Sequence, residues 1–305
     1  MFFISAFLKD ILEYIVQFVG NYGWSVVVFT LVIRIALLPL DIKSKKSMRR
    51  MTELQPKMEV LQKKYANDKE KLNQKLSELY RKEKVNPMSS CLPMLLSMPI
   101  LFCMWDAMRV VANEHTVKML LAMRDGVFDP ANMQSWLWIK NVFQPDSFMA
   151  TIVPTVGDKL SGIAEVSGTL LTKENLDAVR EFLTTPEYAA IAAQFGADKT
   201  IYSAPALFWT INIPAQFNGL FILPILAFVS QYLTTKLTSA GQPQQQKQNA
   251  MMTWMFPIMS LFFCASYNAA FAIYWVAVNV FMLAQQVLLT WYYDKKSPKQ
   301  EVVKA

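Results

Sequence analysis

Charge is scarce in this chain of 305 residues. Asp, Glu, Lys and Arg make up 17% of it, against about a quarter in a soluble domain. The deficit is concentrated in apolar stretches, which points to membrane spans. Histidine occurs once, at His115, which excludes a histidine-based metal site. The three cysteines, Cys91, Cys103 and Cys264, lie in or beside apolar segments with no ligand spacing. They read as small hydrophobes, and no cofactor is implied. There is no GxxxxGK[ST] loop for a nucleotide, and no nucleophile sits with a base inside a span, so an intramembrane enzyme is excluded. A small-molecule transporter or channel is the competing class, but it often shows internal repeats, and none is visible. The N-terminus lacks the basic region of a signal peptide, and Asp10 and Glu13 interrupt its apolar run.

What is abundant is apolar sequence, 53% of the chain. Five segments read as spans, at 23–40, 91–112, 218–236, 251–266 and 270–293. Several are shorter than the roughly 20 residues of a full crossing, and Pro93 and Pro99 interrupt the second, which suits a thinned bilayer or polar entry. Basic residues set the orientation. The block 41–90 holds fourteen Lys or Arg against seven acids, whereas 113–217 holds seven against eleven. The first is therefore cytoplasmic and the second extracytoplasmic. The loop 237–250 and the basic tail 294–305 also fall inside, leaving a short outside turn at 267–269. The N-terminus is then outside and the C-terminus in the cytoplasm. Residues 1–22 place Phe7, Leu8, Ile11, Leu12, Ile15 and Val19 at helical spacing, an interfacial amphipathic helix, with Gly20 and Gly23 turning into the first span.

The cytoplasmic block repeats apolar residues at Met51, Leu54, Met58, Leu61 and Tyr65, then at Leu72, Leu76 and Leu79. This predicts an antiparallel helical hairpin with a thin seam. Asn67 or Asp68 caps its second helix, and Pro56 kinks the first or marks a late start. Such a basic hairpin can also touch ribosomal RNA. In the outside connection, Thr172 and Thr185 suit N-caps, Pro186 a first helical position and Gly196 a C-cap.

The sharpest feature is Arg34, inside the first span and seven residues before Asp41, roughly 10 Å deep. An arginine at the bilayer centre costs about 2.5–3.5 kcal/mol on insertion scales. Two readings are open: the guanidinium snorkels to the inner headgroups, or it lines a water-filled cavity open to the cytoplasm. No span carboxylate lies at comparable depth, since Asp106 is near the outer end and three residues from Arg109, a local pair. Thr30 lies one turn from Arg34. Gln231, Tyr274 and Asn279, with Gln285 and Gln286, are polar partners for such a cavity, though each also suits a helix-packing hydrogen bond. Methionines at Met94, Met98, Met251 and Met252 suit either a surface that accepts varied apolar segments or ordinary packing.

The stretch "NYGWSVVVFTLVIRIALLPLDIKSKKSMRRMTELQPKMEVL" running to "NPMSSCLPMLLSMPILF", with "LWIKN", "QPD", "LPILAFVSQYLTTKL" and "IYWVAVNVFMLAQQ", resembles the bacterial branch of the YidC/Oxa/Alb membrane protein insertase family. The resemblance covers roughly 21–112, 134–148 and 218–292. It implies an all-α polytopic protein with five transmembrane helices, and a hydrophilic groove open to the cytoplasm and to lipid. That groove would contain Arg34, with Thr30, Gln231, Tyr274, Trp275 and Asn279 as further lining. It implies a membrane insertase and chaperone of the bacterial plasma membrane, without catalytic chemistry. Its implied partners are nascent membrane proteins, the ribosome, the Sec translocon and membrane lipids, with no small-molecule substrate. The sequence departs from the family pattern at Ser89 and Ser90, where glycine is usual, and at "SYNAAFAIYW", which lacks Pro-Ala-Gly. It also departs at 149–217, which exceeds the pattern, and it shows neither a lipoprotein cysteine near residue 1 nor a large N-terminal periplasmic domain.

Overall fold

The computed structural model describes residues 3–83, 92–156, 160, 163–197, 202–206, 209–213, 217–239 and 246–296. Helix α1, Phe3–Val19, carries two apolar stripes. One, with Leu8 and Leu12 buried and Ile11 and Ile15 beside them, packs on the bundle. The other, with Phe3, Phe7, Tyr14 and Phe18, is exposed. Lys9 pairs with Glu114 at 2.8 Å, and the Tyr22 hydroxyl donates to Glu13, so polar groups also fix the helix. Gly20, at φ +75°, makes the turn that follows. Gly23 does not turn. It lies inside the next helix, where a Cβ would come 2.3 Å from Trp136 Cγ.

Helix α2, Tyr22–Glu53, joins the expected first span and the first arm of the hairpin in one rod. At 1.5 Å per residue it is about 48 Å long, well beyond a hydrocarbon core of about 30 Å. It breaks at Leu54, and Pro56 occupies the first turn of α3, Gln55–Lys64, where its missing N–H has no intrahelical partner to lose. Of the two expected caps, Asp68 is the one that starts α4, Lys69–Lys82, by accepting from Lys71 N at 3.0 Å. Neither α3 nor α4 buries a residue fully. Lys57 to Glu83 at 2.6 Å and the Tyr80 hydroxyl to Met58 Sδ at 3.7 Å bridge them.

Helix α5, Leu92–Arg124, continues well past the expected end at 112. Its first half packs Met104, Met108 and Val111 into the bundle core. Its second half packs Val110, Val117, Leu120 and Met123 under α6, Lys173–Phe182, and α7, Pro186–Ala197. One helix thereby serves two cores. Thr172 caps α6 by accepting from Asn175 N, and Thr185 accepts from Tyr188 N. Gly196 is not a stop, because α7 runs through it to Ala197. The all-α reading holds for the frame, with one addition. Strands β1, Tyr202–Ala206, and β2, Trp209–Ile213, form an antiparallel hairpin. Both are edge strands, so Pro205 is tolerated in the ladder.

Helix α8, Ile222–Ser239, starts later than expected, and Asn218–Phe221 are non-helical. Helix α9, Gln246–Ser266, takes in part of the segment read as a loop. After the turn at Tyr267 and Asn268, α10, Ala269–Lys296, is capped by Asn268 Oδ1 accepting from Phe271 N at 2.9 Å. Among the described residues two helices are long and apolar enough to cross a membrane, at Tyr22–Ser47 and Ala269–Tyr292. Shorter apolar helices lie at Ile222–Leu237 and Thr253–Ser266. Cys103 and Cys264 are buried free thiols, while Cys91, Ser89, Ser90, the tail from 297 and the side chains of Met94, Met98, Met251 and Met252 lie outside the described residues.

Candidate functional site

Helix α10 is the hub of the polar seam. It packs on α2, α8 and α9, and also touches α5. On α2 the buried positions Val26, Thr30 and Arg34 recur every fourth residue and share one face. The Thr30 hydroxyl is satisfied locally, donating to Val26 O at 2.7 Å. Arg34 is only 9% exposed, and no carboxylate among the described residues pairs with it. Tyr274 of α10, the helix that packs on α2, is buried too. Asp106, by contrast, pairs with Arg109 at 2.9 Å, as its spacing predicts. The guanidinium has five donors and no acceptor, so the seam offers a positive, donor-rich point to an anion or a carbonyl.

The far side of α10 meets α8. Asn279 Nδ2 donates to the buried Ser230 Oγ at 3.3 Å. The α8 residue in this contact is Ser230, with Thr234 buried one turn on, and not Gln231. The Gln231 amide instead reaches Thr235 of its own helix at 3.4 Å. Trp275 is half-buried, packed on Phe271 with ring centroids 5.7 Å apart, and its Nε1 has no partner. The structure thus buries Thr30 and Arg34 on one face of α2 and Tyr274 on the adjoining α10, and pairs Asn279 with Ser230 of α8. Ser230 and Thr234 escaped the sequence reading, although their i, i+4 spacing in "SQYLT" was the available signal.

At the end of the bundle away from the hairpin, residues 134–146 form a strap across three helix starts. Tyr22 N donates to Gln134 Oε1, and Asn21 Nδ2 to Ser135 O, which fastens α2. Ala269 N donates to Gln144 O and Ala270 N to Val142 O, which fastens α10. Asp146, fully buried, fastens α8. Its Oδ1 accepts from Leu220 N and Phe221 N, and its Oδ2 from Leu223 N and Trp138 Nε1. A carboxylate suits this place because a helix N-terminus presents unpaired N–H groups and a partial positive charge. Asn218 completes the knot, accepting from Asn141 N and donating to Asn141 O, Gln144 O and Pro145 O.

A model of the family described as 60Kd inner membrane protein matches residues 14–296. The chain belongs to the 60Kd inner membrane protein family. It is a membrane protein of that family, in which bacterial homologues carry the name YidC. A relative from Roseobacter denitrificans named membrane protein insertase YidC is 31% identical over 289 residues, covering 94% of this chain and 37% of the relative. One from Bacillus subtilis named membrane protein insertase MisCA is 29% identical, covering 96% of this chain and 80% of the relative. A YidC from Fusobacterium nucleatum is 46% identical over 165 residues, covering 53% of this chain and 71% of the relative. The chain therefore spans little more than a third of the Roseobacter relative and most of the Bacillus one. A crystal structure of active YidC insertase with its first transmembrane domain resolved covers 92% of this chain and 45% of its own, at 19% identity and a TM-score of 0.44.

Proposed function

We infer that the chain is a membrane protein insertase that works without covalent chemistry. The observation that carries this reading is Arg34, buried in the seam with no carboxylate partner among the described residues. A permanently charged group held there needs water or an incoming anion, which favours a wet groove over snorkelling. In this reading α2, the start of α5, and α8, α9 and α10 are five spans. The α3–α4 hairpin lies in the cytoplasm with the C-terminus, and α1 lies at the outer interface. Thr30, Arg34, Gln231, Tyr274, Trp275 and Asn279 line a groove open to the cytoplasm. The hairpin receives a nascent segment, and the polar flank of that segment enters the groove near Arg34. The hydrophobic part then slides into lipid, driven by burial at about 25 cal/mol per Å². Ribosome, Sec translocon and lipids are the partners that fit, the basic hairpin facing the first.

The test is depletion of the protein in its native cell while the insertion of short single-span membrane proteins is followed. Loss of their insertion is expected, and unimpaired insertion would sink the reading. Arg34→Ala tests the groove separately: insertion of at least some clients should fall, while Arg34→Lys retains most of it if charge alone matters.

A further inference from the structure

Asp41 stands seven residues beyond Arg34 on α2, close to the same helical face and about 10 Å along the axis. Its Oδ2 accepts from Nε2 of the buried Gln285 of α10 at 3.4 Å. Lys45, one turn further along α2, lies within range of the Asp41 charge. The buried Ser44 Oγ and Gln286 Oε1, on the same two helices, have no partner. Along this face, toward the hairpin end, α2 therefore carries charge in a fixed order: positive at Arg34, negative at Asp41, positive at Lys45, with Lys43 and Lys46 exposed on its other sides. The tie to Gln285 holds the middle charge against α10.

Resting on the insertase reading above, we propose that Asp41 makes the groove selective for charge order. It favours client tails in which an acidic residue leads toward Arg34 and a basic residue follows about three positions behind. Three residues of polyproline II, a major conformer of unfolded chains, span about 9 Å and bring the side chain back to the same face, close to the separation of the two side chains along α2. An acid-leading tail sets opposite charges beside both Arg34 and Asp41, and the reversed tail sets like charges beside both. Lys45, with the more exposed Lys43 and Lys46, limits the effect, because their charge offsets part of that of Asp41. The wetness of the groove limits it further, because water screens a unit charge far more than protein interior does.

The experiment uses purified full-length protein in liposomes and two single-span clients of identical composition. Their tails read Asp-X-X-Lys or Lys-X-X-Asp, a third client has an uncharged tail, and insertion is read by protease protection. The wild type should insert the acid-leading tail about three- to tenfold better than the reversed one. Asp41→Asn keeps an oxygen for Gln285 and removes only the charge, so the ratio should fall below about twofold. Asp41→Glu should restore it. Equal insertion of the two orders by the wild type, or an unchanged ratio in Asp41→Asn, overturns the proposal. Insertion of the uncharged tail alone overturns it while leaving the insertase reading intact. Failure of all three clients overturns that reading and the proposal with it.

Discussion

Replacing Asp146 by Asn tests whether the strap holds the bundle together. The carboxylate accepts four hydrogen bonds, at 2.9 and 3.2 Å on Oδ1 and at 2.7 and 3.2 Å on Oδ2. An amide of the same shape keeps one acceptor and turns the other oxygen into a donor. Two of the four donors then face N–H groups in a fully buried place. Hydrogen bonds to a charged group contribute about 1.5–3 kcal/mol each, so two lost bonds cost about 3–6 kcal/mol. Loss of the negative charge at the start of α8 adds about 0.5–1 kcal/mol. Relief of the carboxylate's desolvation offsets about 2 kcal/mol of this. The net loss is about 2–5 kcal/mol, which at the scale of a chain this size lowers the melting temperature by about 3–8 °C. The measurement is thermal unfolding of the detergent-solubilised protein, followed by tryptophan fluorescence and by labelling of the buried Cys264 thiol. Trp138→Phe removes one of the four bonds and should cost about 1.5–3 kcal/mol. A melting temperature for Asp146→Asn within about 2 °C of the wild type would refute the account, because it would mean the four donors find other acceptors.

Gly219→Ala should mimic Asp146→Asn, since the added Cβ would sit 2.0 Å from Asp146 Oδ1, and a melting curve decides it. Asp68→Ala removes the N-cap of α4 and should cost about 1 kcal/mol locally, seen as roughly fivefold faster amide exchange in the first turn of α4 with global stability unchanged. His115 lies past the end of the apolar part of α5, stacked on Phe143 at 4.2 Å, and burial, followed by Lys118 and Lys9, lowers its pKa to about 4. Because the folded value is below the unfolded one, the unfolded chain takes up the proton first as pH falls. Stability should therefore decline from about pH 6.5 to about pH 4, by up to about 3 kcal/mol, and level off below. His115→Phe should abolish that slope in denaturant titrations.

The membrane frame was legible because its signals are long and repetitive. Apolar runs announced α2, α8, α9 and α10, and the seams of Leu54, Met58 and Leu61 against Leu72, Leu76 and Leu79 announced the hairpin. Helix ends were read less well, because helix and span are different things. Nothing stops a helix at a membrane surface when its next residues are good helix formers, so α2 runs on to Glu53 and α5 to Arg124. Arg34 and Thr30 could be put on one face by counting along a single helix. Which α8 residue meets Asn279 could not, since Ser230 and Gln231 are adjacent and only the rotation of α8 chooses between them. The strap was legible only as the fragments "LWIKN" and "QPD" of a family pattern. The bonds that fasten it to the helices join residues more than seventy positions apart, as between Asp146 and Leu223, and local periodicity carries no trace of such pairs.

The two ends of the bundle are built differently, and the difference bears on direction. At the strap end most polar groups are paired: Asp146, Asn141 and Asn218 spend their bonding capacity on the start of α8 and on the strap and its neighbours, and backbone carbonyls of the strap take the first N–H groups of α10, while Trp136 Nε1 is left without a partner. Separating the helices there would strand several buried donors and acceptors at once, each at about 1–3 kcal/mol. At the hairpin end the polar groups are under-used. Arg34 has no carboxylate partner among the described residues, Ser44 and Gln286 have unpaired oxygens, and the contact from Gln285 to Asp41 that ties α2 to α10 is long, at 3.4 Å. Parting α2 from α10 there breaks little and hydrates groups that lack partners. A bundle tied by many buried bonds at one end and by few at the other opens more readily at the second. In the proposed insertase the polar segment of a client therefore enters from the hairpin side, and lateral exit to lipid becomes the easier next step.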